Sequence, residues 1–179
     1  MKDLNIGIIS STVRDGNVGS KVAQWVLEQA MKISDNTYEI VDLKEYPMGF
    51  NLSTADEHAV KLNEKLMSFD GYIMITAEYN HSIPGVLKNA LDWVGMQTMA
   101  NRPAGIISYG AVGGARAAEH LRNILGQLNV ADISRQVLFS LFLDFDENKN
   151  FTPQQIHLNT FKELVNQVEL WAKAFKTIR

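Results

Sequence analysis

Residues 72–93 read Tyr-Ile-Met-Ile-Thr-Ala-Glu-Tyr-Asn-His-Ser-Ile-Pro-Gly-Val-Leu-Lys-Asn-Ala-Leu-Asp-Trp, and three patterns follow one another within them. Residues 72–77 form a short apolar run, as expected of a strand whose two faces are both covered. Residues 78–85 are polar and rich in turn formers. Pro84 stands where a helix can begin, and Val86, Leu87, Ala90, Leu91 and Val94 then recur at helical spacing. A buried strand, a polar turn and an amphipathic helix together are the repeating unit of a parallel α/β sheet.

The same unit recurs on either side. Further apolar runs occupy 4–9, 38–43, 104–109 and 137–143. Helical stripes lie between and after them: Val22, Val26, Ala30 and Ile33; Leu62, Leu66 and Phe69; Ala118, Leu121, Leu125 and Leu128; and finally Phe161, Leu164, Val165, Val168, Trp171 and Phe175. Five strands alternating with helices predict a parallel sheet with helices on both faces. No Pro, Gly or Ser linker interrupts the chain, so residues 1–179 are expected to form a single domain. Thr152, Pro153 and Gln155 suggest a capping box that opens the last helix. The acidic residues Asp144, Asp146 and Glu147 just before it are expected to lie in a solvated loop.

Composition removes several function classes. The chain has 179 residues, of which 46% are hydrophobic and 21% charged, and its formal net charge is −3. Such a balance offers no basic field for nucleic acid or an anionic membrane. There is no cysteine, which excludes disulfides, thiolate-bound zinc, iron–sulfur clusters and thiol nucleophiles. His58, His81, His120 and His157 are scattered, so no metal site is expected. No apolar stretch approaches the ~20 residues of a membrane helix, and no secretory leader is expected from residues 1–4 and the short apolar run they enter. The expectation is a cytoplasmic protein.

In open parallel sheets, ligands bind beyond the carboxyl ends of the strands. The loops after strands one, three and four are also the most distinctive stretches of the chain. The first runs Ser10-Ser11-Thr12-Val13-Arg14-Asp15-Gly16-Asn17-Val18-Gly19 and leads into a helix from about Lys21. Hydroxyls, a cation, glycines and a helix N-terminus converge there, as a phosphate cradle requires. It matches neither GxxxxGK[ST] nor GxGxxG. A Ser/Gly-rich connection carrying an incidental arginine fits the loop equally well. The third runs Ser108-Tyr109-Gly110-Ala111-Val112-Gly113-Gly114-Ala115-Arg116, and its glycines would let backbone approach a flat ligand.

Residues 78–93, from Glu78 through Trp93, resemble the signature of the NADPH-dependent FMN reductase family, a flavodoxin-like group. Residues 108–122 resemble the same family at the matching place. In the first loop the likeness to Gly-Ser-x-Arg sets Thr12 on the family's serine and Arg14 on its arginine, with Ser11 in place of glycine. The resemblance implies a three-layer flavodoxin-like sandwich with strand order 2-1-3-4-5. It also implies FMN as cofactor and NADPH or NADH as electron donor. FMN-binding candidates are Ser11, Thr12, Arg14, Asn17, Val18 and Gly19 around the phosphate. Ala77, Glu78, Tyr79, Asn80, His81, Ser108, Tyr109, Gly110, Gly113 and Gly114 are those around the ring. Ala77 stands where the family usually has proline. Arg116 falls near the nucleotide approach and is either an NADPH contact or a surface helix residue.

The activity implied is ping-pong transfer of hydride from NAD(P)H to FMN, then of electrons to a quinone, azo compound, metal oxyanion or free flavin. No protein residue need be catalytic, because the chemistry belongs to the cofactor. An electron-carrier flavodoxin is the alternative, although Arg14 and the mild charge point away from it. A phospho-receiver would need an aspartate ending strand three, and a serine hydrolase a Gly-x-Ser-x-Gly elbow; neither is present. The family likeness further implies a homodimer or homotetramer, with Trp93, Met96 and Met99 as an exposed apolar edge. Residues 47–52 are expected to form a mobile wall of the acceptor site.

Overall fold

The computed structural model describes residues 3–179. Five strands, β1 (Asn5–Ser10), β2 (Thr37–Asp42), β3 (Gly71–Ala77), β4 (Arg102–Gly110) and β5 (Val130–Ser140), pair in parallel in the order β2-β1-β3-β4-β5. Every residue of β3 is buried, as its uninterrupted apolar run requires at the centre of a sheet. Five helices connect and cover the strands: α1 (Gly19–Ile33), α2 (Glu57–Met67), α3 (Gly85–Asp92), α4 (Ala115–Gln127) and α5 (Gln155–Phe175).

The two-residue period of the strands divides the core into two halves. Tyr72 and Met74 of β3 face α2, α3 and α4 together with Ile9 and Ile106. Ile73, Ile75 and Ala77 face α1 and α5 together with Ile8 and Ile107. This is the expected flavodoxin-like three-layer sandwich.

Several local expectations are corrected. β5 starts at Val130 and ends at Ser140, whereas the apolar run suggested 137–143. As an edge strand β5 needs only one buried face, so Asp132, Ser134 and Gln136 can belong to it. Arg122 of α4 supports this polar stretch by donating to Ile133 O at 2.8 Å and Gln136 Oε1 at 2.9 Å. Leu141, Phe142 and Leu143 fall beyond the strand and are exposed. Phe69 is buried but lies after α2 rather than on it.

The capping box at 152–155 does not form. α5 begins at Gln155, and the residue before it makes no side-chain cap. Asp144, expected in solvent, is instead buried and organises this entry. It accepts from Ser140 N at 2.7 Å and Gln154 N at 3.1 Å, and pairs with His157 Nε2 at 3.0 Å. A buried carboxylate with three donors outcompetes one local hydroxyl.

α5 lies so close to β4 that only glycine fits at position 105. A Cβ there would meet Leu164 Cδ2 at 2.7 Å and Val168 Cγ2 at 3.1 Å. Gly105→Ala should therefore lower unfolding stability by about 1–3 kcal/mol, read from the midpoint of a urea titration at unchanged slope. An unchanged midpoint would mean that α5 can move off the sheet at no cost.

Candidate functional site

β1, β3 and β4 are neighbours, so the loops that leave their carboxyl ends meet at one rim. Each loop is stiffened internally before it is joined to the next. In the first, Asn17 is the organiser. Its Nδ2 donates to Arg14 O at 2.6 Å, and its Oδ1 accepts from Gly19 N at 2.8 Å and from Thr12 Oγ1 at 2.9 Å. Because the Thr12 hydroxyl proton goes to Asn17, Tyr109 must be the donor in the 3.0 Å contact between its OH and Thr12 Oγ1. That bond ties the β1 loop to the end of β4.

Burial, the largest influence, pushes the Tyr109 phenol up to about 12, against the lowering effect of the Thr12 hydrogen bond, so it stays protonated and able to donate at neutral pH. Gly19 is fixed by crowding: a Cβ would lie 2.7 Å from Tyr109 OH and 3.0 Å from Asn17 Oδ1.

The β3 loop is a miniature hairpin. Tyr79 N donates to Ser82 O at 2.8 Å and Ser82 N to Tyr79 O at 3.0 Å. Asn80 and His81 between them both have positive φ, 49° and 67°, the two-residue turn that asparagine tolerates best. Both side chains are exposed. Ala77 ends β3 beside Tyr109, and the next residue continues the link, with Glu78 N donating to Tyr109 O at 2.9 Å.

Beyond β4 the chain folds back on itself. Ser108 Oγ donates to Gly113 O at 2.8 Å, and Gly113 and Gly114 take φ of 76° and 74°. A Cβ on Gly113 would strike Leu138 Cβ at 2.8 Å, and one on Gly114 would strike Tyr109 N at 2.9 Å. Glycine is needed here to pack the loop against its own strands.

α4 starts from Gly114, which has no side chain with which to cap it. Glu78 does so from the neighbouring loop. Its carboxylate accepts from Arg116 N at 3.2 Å and Arg116 Nε at 2.7 Å and forms an ion pair with the same guanidinium. The Glu78 side chain is 6% exposed. Burial alone would raise its pKa, but the hydrogen bonds and charge of Arg116 outweigh that, and the group is held below the ordinary carboxylate value. Arg116, set at the nucleotide approach by resemblance, is thus engaged by Glu78. His120, one turn further along α4, adds a 2.9 Å contact from Nδ1 to Ser82 Oγ. Nothing in the sequence marked it as a tie between these loops.

Arg14 leaves the rim and lies over the Tyr79 ring, 4.5 Å from its centroid. Both line a cleft of about 430 Å³, together with Asn17, Val18 and Tyr109 and also with Leu141, Phe145, Asp146 and Lys149. The last four follow β5, whose end reaches the same rim although its sequence carries no motif. Ser11 Oγ is buried at the root of the first loop and has no hydrogen-bond partner among the described residues. An orphaned hydroxyl on the loop that carries Arg14 and leads into the N-terminus of α1 fits a phosphate-bearing cofactor such as FMN.

The other expected wall is better fixed than its sequence suggested. Gly49 O accepts from Trp93 Nε1 at 2.8 Å, and Asn89 Nδ2 donates to Met48 O and Gly49 O, each at 3.2 Å. Phe50 and Leu52 at its tip are exposed. Of the proposed apolar edge, Met96 is exposed, Trp93 is partly buried and Met99 is buried in the core.

Residues 4–144 match the family model described as NADPH-dependent FMN reductase. A 2-hydroxy-1,4-benzoquinone reductase of a Burkholderia species is 30% identical over 154 residues, 82% of this chain and 81% of its own. An NAD(P)H-dependent FMN reductase of Schizosaccharomyces pombe is 31% identical over 69% of this chain and 66% of its own length. The structure of a flavoenzyme NAD(P)H:(acceptor) oxidoreductase from Paracoccus denitrificans superposes with a TM-score of 0.68 at 21% identity, over 97% of this chain and 98% of that one; at that identity the likeness concerns the fold.

The Glu78 clasp has a defined acid signature. A carboxylate held below its unfolded pKa of about 4.3 adds stability that is complete above that value and is lost as pH falls through the folded value. Glu78→Gln should cost about 1 kcal/mol at pH 7, and the gap to wild type should close below about pH 4. Denaturant titrations at pH 7 and pH 3.5 read this directly; an equal gap at both would show that the charge plays no part.

Proposed function

This chain belongs to the NADPH-dependent FMN reductase family, and we propose that it is an NAD(P)H-dependent reductase of small quinone-type acceptors with FMN held at the rim of β1, β3 and β4. The observation that carries this reading is the convergence of three loops joined by Thr12–Tyr109 and Glu78–Arg116, with an unpaired buried hydroxyl, Ser11, at their root. Ser11, Thr12, Arg14, Asn17, Val18 and Gly19 would hold the FMN phosphate, with the α1 N-terminus contributing the positive end of its dipole. The segments from Ala77 to His81 and from Ser108 to Gly114 would flank the ring.

When bound, FMN supplies the two-electron chemistry, accepting hydride from the nicotinamide and delivering electrons to the acceptor. The protein supplies position. Tyr79 and Tyr109 present aromatic and phenolic surface to the cleft, Tyr109 keeps its proton throughout the neutral range, and the stiff Tyr79–Ser82 hairpin fixes backbone donors and acceptors in advance. One shared cleft implies that donor and acceptor take turns, which is ping-pong order. Azo compounds, metal oxyanions and free flavins are further acceptors for the same exposed site.

Among the described residues no helix is long and apolar enough to cross a membrane, and we place the protein in the cytoplasm. A homodimer or homotetramer would cover Met96 and the exposed Phe50 tip.

Purified protein mixed with FMN should become yellow, and NADPH or NADH under argon should bleach it within the dead time of hand mixing. Double-reciprocal plots against a benzoquinone should be parallel. A protein that binds flavin but is not bleached would be an electron carrier, and intersecting lines would exclude the alternating order.

A further inference from the structure

The family match ends at residue 144, yet the cleft continues past it. Residues 145–151 form a second small hairpin at the rim. Phe145 and Phe151 are bridged, Asp146 N donates to Asn150 O at 3.0 Å, and Lys149 N donates to Asp146 O at 2.8 Å. Phe151 packs edge-on against Trp25 of α1 at 5.7 Å between ring centroids. Lys21, also on α1, donates from Nζ to Lys149 O at 2.6 Å. The hairpin is therefore anchored to the helix whose N-terminus meets the β1 loop.

Two cations line the cleft, Arg14 and Lys149, along with two carboxylates, Asp15 and Asp146. The carboxylates are already engaged. Asp15 pairs with Lys44 at 3.1 Å, and Asp146 accepts from Asn148 N at 2.9 Å, Asn150 N at 2.7 Å and Asn150 Nδ2 at 2.9 Å. Among the described residues the lysines that pair with a carboxylate are Lys44, Lys61, Lys65, Lys88 and Lys176; Lys149 is not one of them. Arg14 and Lys149 are thus the cations of the cleft, and among the described residues neither is paired with a carboxylate.

We propose that the 145–151 hairpin is a fourth wall of the nucleotide site and that Lys149 is a phosphate-binding residue, acting with Arg14 on a phosphate monoester. This rests on the flavin reading above. Two ligands of that reading carry such a group: FMN on its ribityl chain, and NADPH on its 2′ oxygen. Either presents a dianion that a compact ammonium recognises as a point charge.

Lys149→Gln and Lys149→Glu separate the sources. The side chain is exposed, so both variants should melt as the wild type does. Calorimetry with FMN and riboflavin reads the first source, and with NADP+ and NAD+, which carry the same 2′ groups but donate no hydride, on the flavin-loaded protein the second. Loss of about tenfold in FMN affinity with riboflavin unchanged, greater in the glutamate variant, assigns Lys149 to the flavin phosphate. The same loss for NADP+ with NAD+ unchanged assigns it to the 2′-phosphate of the donor. Equal affinities in wild type and variants for all four ligands, or equal losses for the phosphate-free partners, would overturn the role of Lys149 while leaving the flavin reading intact. Wild-type protein that binds neither FMN nor riboflavin would overturn both.

Discussion

The site depends on one borrowed cap. α4 begins at a left-handed glycine and has no side chain of its own for its first N–H groups. Glu78 supplies the acceptor from another loop, 38 residues away in sequence, and in doing so joins the end of β3 to the start of α4. The carboxylate is nearly buried, so its desolvation is offset only while Arg116 and the helix N-terminus stay in place. Two walls of the cleft are thereby obliged to move as one body. Ser82–His120 repeats the obligation one turn further along α4, and Ser108–Gly113 stiffens the β4 loop from within.

The third wall is attached more lightly. A single hydroxyl–phenol contact, Tyr109 to Thr12, holds the β1 loop to β4, and inside that loop Asn17 satisfies three partners at once. What results is a shaped rim whose polar groups mostly serve one another. Ser11 is the exception, buried with nothing to bond. Among the described residues Ser11 Oγ and Asn5 Oδ1 are the buried side-chain atoms without a hydrogen-bond partner, and Ser11 is the one that lies on a rim loop.

The fold could be read because its strands are simple. An apolar run such as 72–77 admits only a buried central position, and helical stripes such as Leu121 and Leu125 point one way. The errors fall where packing overrides local pattern. β5 carries Asp132 and Gln136 because Arg122 reaches across to hold them, a contact between residues 10 to 14 positions apart that no periodicity reveals. The start of α5 was misplaced because Asp144, which looks like a solvent residue beside Asp146 and Glu147, is in fact buried against His157. Met99 resembled part of an exposed edge but fills a gap beneath α3. Within the site, the motif residues were legible as types. Which of them bind one another was not, since Glu78 with Arg116 and Thr12 with Tyr109 are partners only in three dimensions. Lys149 carried no signal beyond the strand whose end it follows.

That distinction between type and engagement decides which arginine can answer a phosphate. Arg102 sits at the far end of the sheet, donating to Phe69 O at 2.7 Å, Ala100 O at 3.1 Å and Met67 O at 3.1 Å, so its guanidinium is used up in closing loops. Arg116 is bound to a nearly buried carboxylate that it cannot leave without stranding a charge. Arg14 is held by the face of Tyr79 alone, an attraction of about 0.5–1 kcal/mol at an exposed position. A dianionic phosphate in a charge-assisted bond exceeds that, so Arg14 can exchange its aromatic partner for a ligand at little cost. Of these three arginines, it is the one at the rim whose departure disturbs no other contact, and its movement would uncover the ring of Tyr79 as it engaged the anion.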